Sequence, residues 1–159
     1  MSEKTEKLTT TLPSDREIVM TRVFDAPREL VFKAMFTVEH VEKWWGWRDS
    51  TVDCELDFRP GGHWRFVQHT ADGQEHGFHG EFREIVPNEL VVQTFEYEGM
   101  PGHVVVDTLR LEEHEGRTTV TSTSLFDTTE ERDGMVDSGM ESGAAESYDR
   151  LAELLATLV

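Results

Sequence analysis

Apolar positions along the chain follow two rhythms, a period of two through most of its length and a helical period at its end. Residues 1–15 are rich in Ser, Thr and Lys with little apolar content, and they predict a loose tail before a domain spanning 16–159. The run Glu17-Ile-Val-Met-Thr-Arg-Val-Phe-Asp25 is rich in β-formers and predicts the first strand. Asp25-Ala26-Pro27-Arg28-Glu29 then opens a helix, since proline suits the first helical position, where its missing N–H has no partner to lose. Leu30, Val31, Ala34 and Met35 give that helix an inward stripe. Thr37 is a plausible cap for a second short helix carrying Val38, Val41, Trp44 and Trp45 on one side, and Gly46 ends it.

About six strands follow, separated by turn signals. Thr51 to Phe58 closes at Arg59-Pro60-Gly61-Gly62. His63 to His69 pairs across Ala71-Asp72-Gly73-Gln74 with Glu75 to Ile85, where Asp-Gly is a strong hairpin signal. Pro87-Asn88 turns into Glu89 to Tyr97. His103 to Glu112 and Arg117 to Phe126 complete the set, divided by Glu115-Gly116. The period then changes. Thr128-x-x-Glu131 and Ser138-x-x-Glu141 have the form of capping boxes. Ala144, Tyr148, Leu151, Leu154, Leu155 and Leu158 recur at helical spacing from Met140 onward. A helix over residues 138–158 is about 30 Å long, enough to lie across a small sheet.

The fold class implied is α+β: an antiparallel sheet of about seven strands with two short helices after the first and one long helix at the end. Such a sheet curls with its twist, and one helix fills its concave side only in part. The gap between them is the candidate ligand site. Strand alternation puts Trp64 and Phe66 on one face, Phe78 with Phe82, Phe95 with Tyr97 beside Gln93, and Ser122 with Ser124. Asp107 aligns with Leu109 and Leu111. With Trp45 from the second short helix and Met140, Gly143, Ala144 and Tyr148 from the long one, these line an aromatic cavity holding a few hydroxyls and one carboxylate. Plain core packing uses aromatic residues at the same spacing. Gly139, Gly143 and Ala144 near the start of the helix speak for open space, or for close helix–sheet packing, since glycine there costs ~0.5–1 kcal/mol against alanine.

Composition narrows the function. Net charge is −17 with a pI near 4.7 and no basic cluster, which disfavours nucleic acid and anionic membranes as partners. No stretch reaches the ~18 apolar residues of a membrane span, and the N-terminus lacks the apolar core of a signal peptide, which together predict a cytoplasmic protein. The lone Cys54 has no internal partner, agrees with a reducing compartment and fits as a small core hydrophobe. His76 and His79, three apart in a strand, point to opposite faces, and no Cys-x-x-Cys or His-Glu-x-x-His occurs, so neither metal nor cofactor is expected. There is no Gly-x-Ser-x-Gly and no phosphate-binding loop. No catalytic residue is expected apart from Asp107, whose carboxyl in an apolar pocket would have a raised pKa and could act as acid or base.

The segments Arg16-Glu17-Ile18-Val19 to Phe24-Asp25-Ala26-Pro27-Arg28-Glu29-Leu30-Val31-Phe32, Val38-Glu39-His40-Val41-Glu42-Lys43-Trp44-Trp45-Gly46, Asp57 to Phe66 with its Gly61-Gly62 turn, and Gly80 to Leu90 occur together in order. They resemble the activator of Hsp90 ATPase homologue 1-like (AHSA1-like) family of the START/Bet v 1-like (SRPBCC) superfamily. Relatives usually carry Gly-Pro where this chain has Gly46-Trp47-Arg48. The resemblance implies a helix-grip fold over about residues 16–158 and an internal cavity for a small hydrophobic or aromatic molecule in a monomer or homodimer. Two alternatives stay open. Wider-superfamily relatives catalyse cyclisation or hydrolysis in such a pocket, with Asp107 the acid/base here, and stress-related members suggest a protein-interaction or co-chaperone-like module, for which Trp47 is the hint. The eponymous co-chaperone joins this domain to a further N-terminal one, where this sequence has a short tail, so that activity does not follow from the resemblance.

Overall fold

The computed structural model describes residues 7–158. The period-two run became β2 (Glu17–Phe24), in which Ile18, Met20, Arg22 and Phe24 are buried and their neighbours half-buried. α1 (Arg28–Phe36) and α2 (Val38–Trp44) follow. Pro27 precedes α1 in extended conformation instead of forming its first turn. α1 and α2 lock together where the Trp44 indole N–H donates to the Ala34 carbonyl at 3.0 Å. Gly46 ends α2 at φ +95°, a conformation in which a Cβ would be strained.

The six strands expected next are β3 (Thr51–Leu56), β4 (His63–His69), β5 (Glu75–Val86), β6 (Leu90–Tyr97), β7 (Val105–His114) and β8 (Arg117–Leu125). They join β2 in one antiparallel sheet of order β1-β2-β8-β7-β6-β5-β4-β3. The additional strand, β1 (Thr9–Thr11), lies in the segment read as a loose tail. It pairs Thr9 with Thr21 and Thr11 with Val19, which places residues 9–11 in the sheet. Three polar β-branched residues on a sheet edge form a strand through backbone bonds alone, which hydrophobic patterning does not register. Residues 1–6 of the expected tail lie outside the described residues.

After β8 the chain forms α3 (Thr129–Asp137) and α4 (Met140–Leu158). Thr128 caps α3 by accepting from the Glu131 N–H at 3.1 Å, one half of the expected capping box, while the Glu131 carboxylate meets His103 at 2.9 Å. The second box is not made: Ser138 ends α3 and donates to the Met135 carbonyl at 2.6 Å, while Gly139 (φ +84°) makes the break before α4. α4 crosses the concave face of the sheet and buries Ser147, Leu151 and Leu155. This is the helix-grip architecture.

Beneath α4 the apolar interior is divided. The larger cluster includes Phe24, Val31, Trp64, Phe82, Val91, Leu111, Val120, Leu151 and Leu155. A smaller one gathers Ile18, Met20, Val105 and Phe126, with Met140 and Ala144 from α4. Phe95 packs against both.

Candidate functional site

Cross-strand register sets which side chains share the concave face. Phe82 opposes Gln93, Gln93 opposes Asp107, Asp107 opposes Ser124, and Ser124 opposes Ile18. One row along, Val91, Leu109, Ser122 and Met20 align in the same way. Polar side chains therefore occupy the middle of the sheet, on β6, β7 and β8, between apolar ends. Gln93, Asp107 and Ser122 are only half-buried, although they lie on central strands beneath α4.

Asp107 is the chemical centre of this stripe. The Ser124 hydroxyl donates to its Oδ1 at 2.7 Å. Burial pushes its carboxyl up from 3.8 to about 6, against the opposing pull of the Ser124 bond. Tyr148 faces it from α4, and desolvation, with the Asp107 charge adding to it, pushes that phenol up to about 12. The side chains of Gln93, Ser122 and Tyr148 have no hydrogen-bond partner among the described residues. Buried polar groups are normally paired, so a group of half-buried, unpaired ones leaves hydrogen-bonding capacity open on this face.

Aromatic rings flank the stripe on one side. Phe78 lies 5.5 Å from Phe95 and 5.2 Å from Tyr97, and Trp45 meets Phe66 and Phe78 edge-on at 5.3 Å. All but Phe66 are half-buried. Trp64, Phe66 and Phe82 are instead consumed by core packing. The Trp64 indole donates to the Thr94 carbonyl at 3.1 Å and lies over Gly80, where a Cβ would come within 2.6 Å of its nitrogen. Phe82 packs on Phe58 and Phe36. Met140 and Ala144 sit on the smaller apolar cluster. Gly143 does not open space toward the sheet: a Cβ there would meet the Trp47 ring at 3.3 Å, so the glycine serves close packing of α4 on the loop after α2. His76 donates to or accepts from the Tyr97 hydroxyl at 2.9 Å, while His79 contacts Glu98 at 3.0 Å.

That loop is stitched to α4 by two residues three apart. Ser147 Oγ accepts from the Gly46 N–H at 2.9 Å, and Arg150 donates to the carbonyls of Lys43 (2.7 Å), Gly46 (3.1 Å) and Trp47 (3.0 Å). Outside it lies an open depression of about 580 Å³ lined by Trp47, Arg48, Asp49, Thr70, Ala71, Asp72, Gln74 and Glu146. None of the expected site residues lines it.

Sequence reasoning missed Arg22. It is 7% exposed, donates to Asp149 Oδ1 at 2.8 Å, and lies 5.2 Å from the Phe24 ring centroid. Its Nε has no partner among the described residues. The signal was its place in the Ile18, Met20, Arg22, Phe24 alternation, which puts a cation on the buried face of β2.

A curled antiparallel sheet gripping one long helix, with a polar stripe inside the grip, defines a protein of the START/Bet v 1-like class, a fold that generally serves small-molecule binding. The match to that family's model over residues 25–156 shows that the chain belongs to the activator of Hsp90 ATPase homolog 1-like family. Solved structures with the same fold include a protein from Rhodobacter sphaeroides, 24% identical with a TM-score of 0.89 over 95% of this chain and 99% of that one. A Staphylococcus epidermidis protein is 26% identical with a TM-score of 0.81, covering 95% and 96%. DynU16, a protein of the dynemicin biosynthetic locus, is 20% identical with a TM-score of 0.70, and 48% of it is covered. No curated protein matches the chain. No described helix is long and apolar enough to cross a membrane.

Proposed function

We propose that this protein binds a small apolar or aromatic molecule in the cleft between the concave sheet face and α4. One observation carries the reading: Gln93, Ser122 and Tyr148 keep unpaired, half-buried polar groups around Asp107, with Phe78, Phe95 and Tyr97 alongside. An apolar wall with a few convergent polar groups is what a small-molecule site presents. Native mass spectrometry of the protein purified from its own host tests this. A retained small apolar mass that is lost on unfolding is the expected result. A bare chain mass, together with no thermal shift from any lipid or aromatic compound, would refute the reading.

A second reading, an enzyme acting on such a molecule, is favoured by the Asp107 carboxyl at about 6, near the range where a general acid or base works best. Asp107→Asn separates the two: turnover of a co-purified compound falls by about 10²–10⁴ if Asp107 transfers the proton, whereas binding alone only shifts in affinity.

A further inference from the structure

We infer that the cleft selects molecules pairing an aromatic body with one hydrogen-bond-donating head, a hydroxyl or a protonated amine, seated on the free oxygen of Asp107. The inference rests on the ligand-binding reading above and narrows it. Asp107 Oδ1 accepts from Ser124, whereas no described residue donates to Oδ2. An ionised carboxylate accepts several hydrogen bonds and offers none, so a head group that only accepts would face its lone pairs.

No cation among the described residues fills that place. Arg22 from β2 and Tyr148 from α4 are the charged and titratable groups facing this part of the cleft. Arg22 commits its Nη1 to Asp149, and Tyr148 makes no hydrogen bond to Asp107. The carboxyl's position is raised by burial and opposed by Ser124 alone, with no attraction from a basic side chain.

The direction of the body follows from register. Phe95 stands two residues from Gln93 on β6, pairs with Val105, and leads on to Phe78 and Tyr97. A ring system laid along these half-buried aromatics places its polar end on Asp107. On the other side Leu109 and Val91 are buried and offer no room.

Calorimetric titration with naphthol, methoxynaphthalene and protonated naphthylmethylamine tests this, using the wild-type chain and Asp107→Asn. Asparagine keeps the shape and an oxygen for Ser124, but turns the free acceptor into a donor. The wild type is expected to bind naphthol or the amine at least about tenfold more tightly than methoxynaphthalene, the worth of one hydrogen bond to a charged group. In Asp107→Asn that advantage is expected to fall within about twofold, with an unchanged circular dichroism spectrum confirming the fold. The tighter of the two donors identifies the head group. Equal binding of naphthol and its methyl ether by the wild type, or an advantage that survives in Asp107→Asn, overturns the inference while leaving the binding reading intact. Failure of all three probes to bind the folded wild type overturns the inference too, and the binding reading then stands or falls on the native mass measurement above.

Discussion

Asp107 shows how one buried carboxyl can cost the folded chain stability. Its carboxyl titrates near 3.8 when unfolded and near 6 in the folded chain. Between those values the folded state keeps a proton that the unfolded state releases, so folding stability falls as pH rises through this window. Below about pH 4 the cost is absent, and above about pH 7 it is complete. A fully desolvated shift of this size corresponds to about 3 kcal/mol, and the surface Asp107 retains lowers it to ~1–2 kcal/mol. Thermal melts of Asp107→Asn are therefore expected to show stabilisation near pH 8 that vanishes near pH 4. Equal stabilisation at both would mean that the carboxylate is not desolvated. Asp107 and Ser122 were legible as inward residues from strand alternation alone. That Asp107 pairs with Ser124 through one oxygen only, and that the Ser122 hydroxyl has no partner among the described residues, was not, because pairing depends on which strands become neighbours.

Among the elements, α4 depends on the loop after α2 as much as on the sheet. Arg150 places a cation at the C-terminal end of α2, where carbonyls carry partial negative charge, and donates to the carbonyls of Lys43, Trp45, Gly46 and Trp47 across that end and the loop after it. Burial pulls its pKa below the ordinary arginine value, but a guanidinium remains charged at any physiological pH. Arg150→Met retains much of the packing and removes the donors. It is expected to cost about 2 kcal/mol and to speed amide exchange at Gly46 through Ser50, with little change in β7 and β8. Uniformly faster exchange would show that Arg150 supports the whole fold and not this loop. The long helix, the Asp-Gly hairpin and the Thr128 cap of α3 could be read from sequence because each signal is local. The stitch could not: Ser147 and Arg150 look like ordinary polar positions until α2 is brought beneath them.

Over the whole molecule, charge is the unbalanced quantity. Arg48, Arg59 and Arg65 are each engaged with a carboxylate, and Glu98, held between Arg65 and His79, is pulled down to about 2. Pairing of this kind leaves most of the acidic excess of a chain at −17 without a counter-charge. Self-repulsion favours the expanded state. At about 1 M sodium chloride, where the screening length is ~3 Å, the melting temperature is expected to rise by about 3 °C for each kcal/mol of repulsion removed. A melting temperature unaffected by salt would place the excess acids too far apart to matter.

The two apolar clusters meet through Phe95 alone among the half-buried residues that pack on both, with the polar stripe filling the rest of the boundary. Such an interior works less like one solid than like two blocks with a joint between them. Whatever occupies the joint bears on both blocks at once, and an occupant that binds only the folded chain raises its stability as the logarithm of its concentration. Under the proposed function, heat resistance in this protein would be a gauge of what occupies that joint.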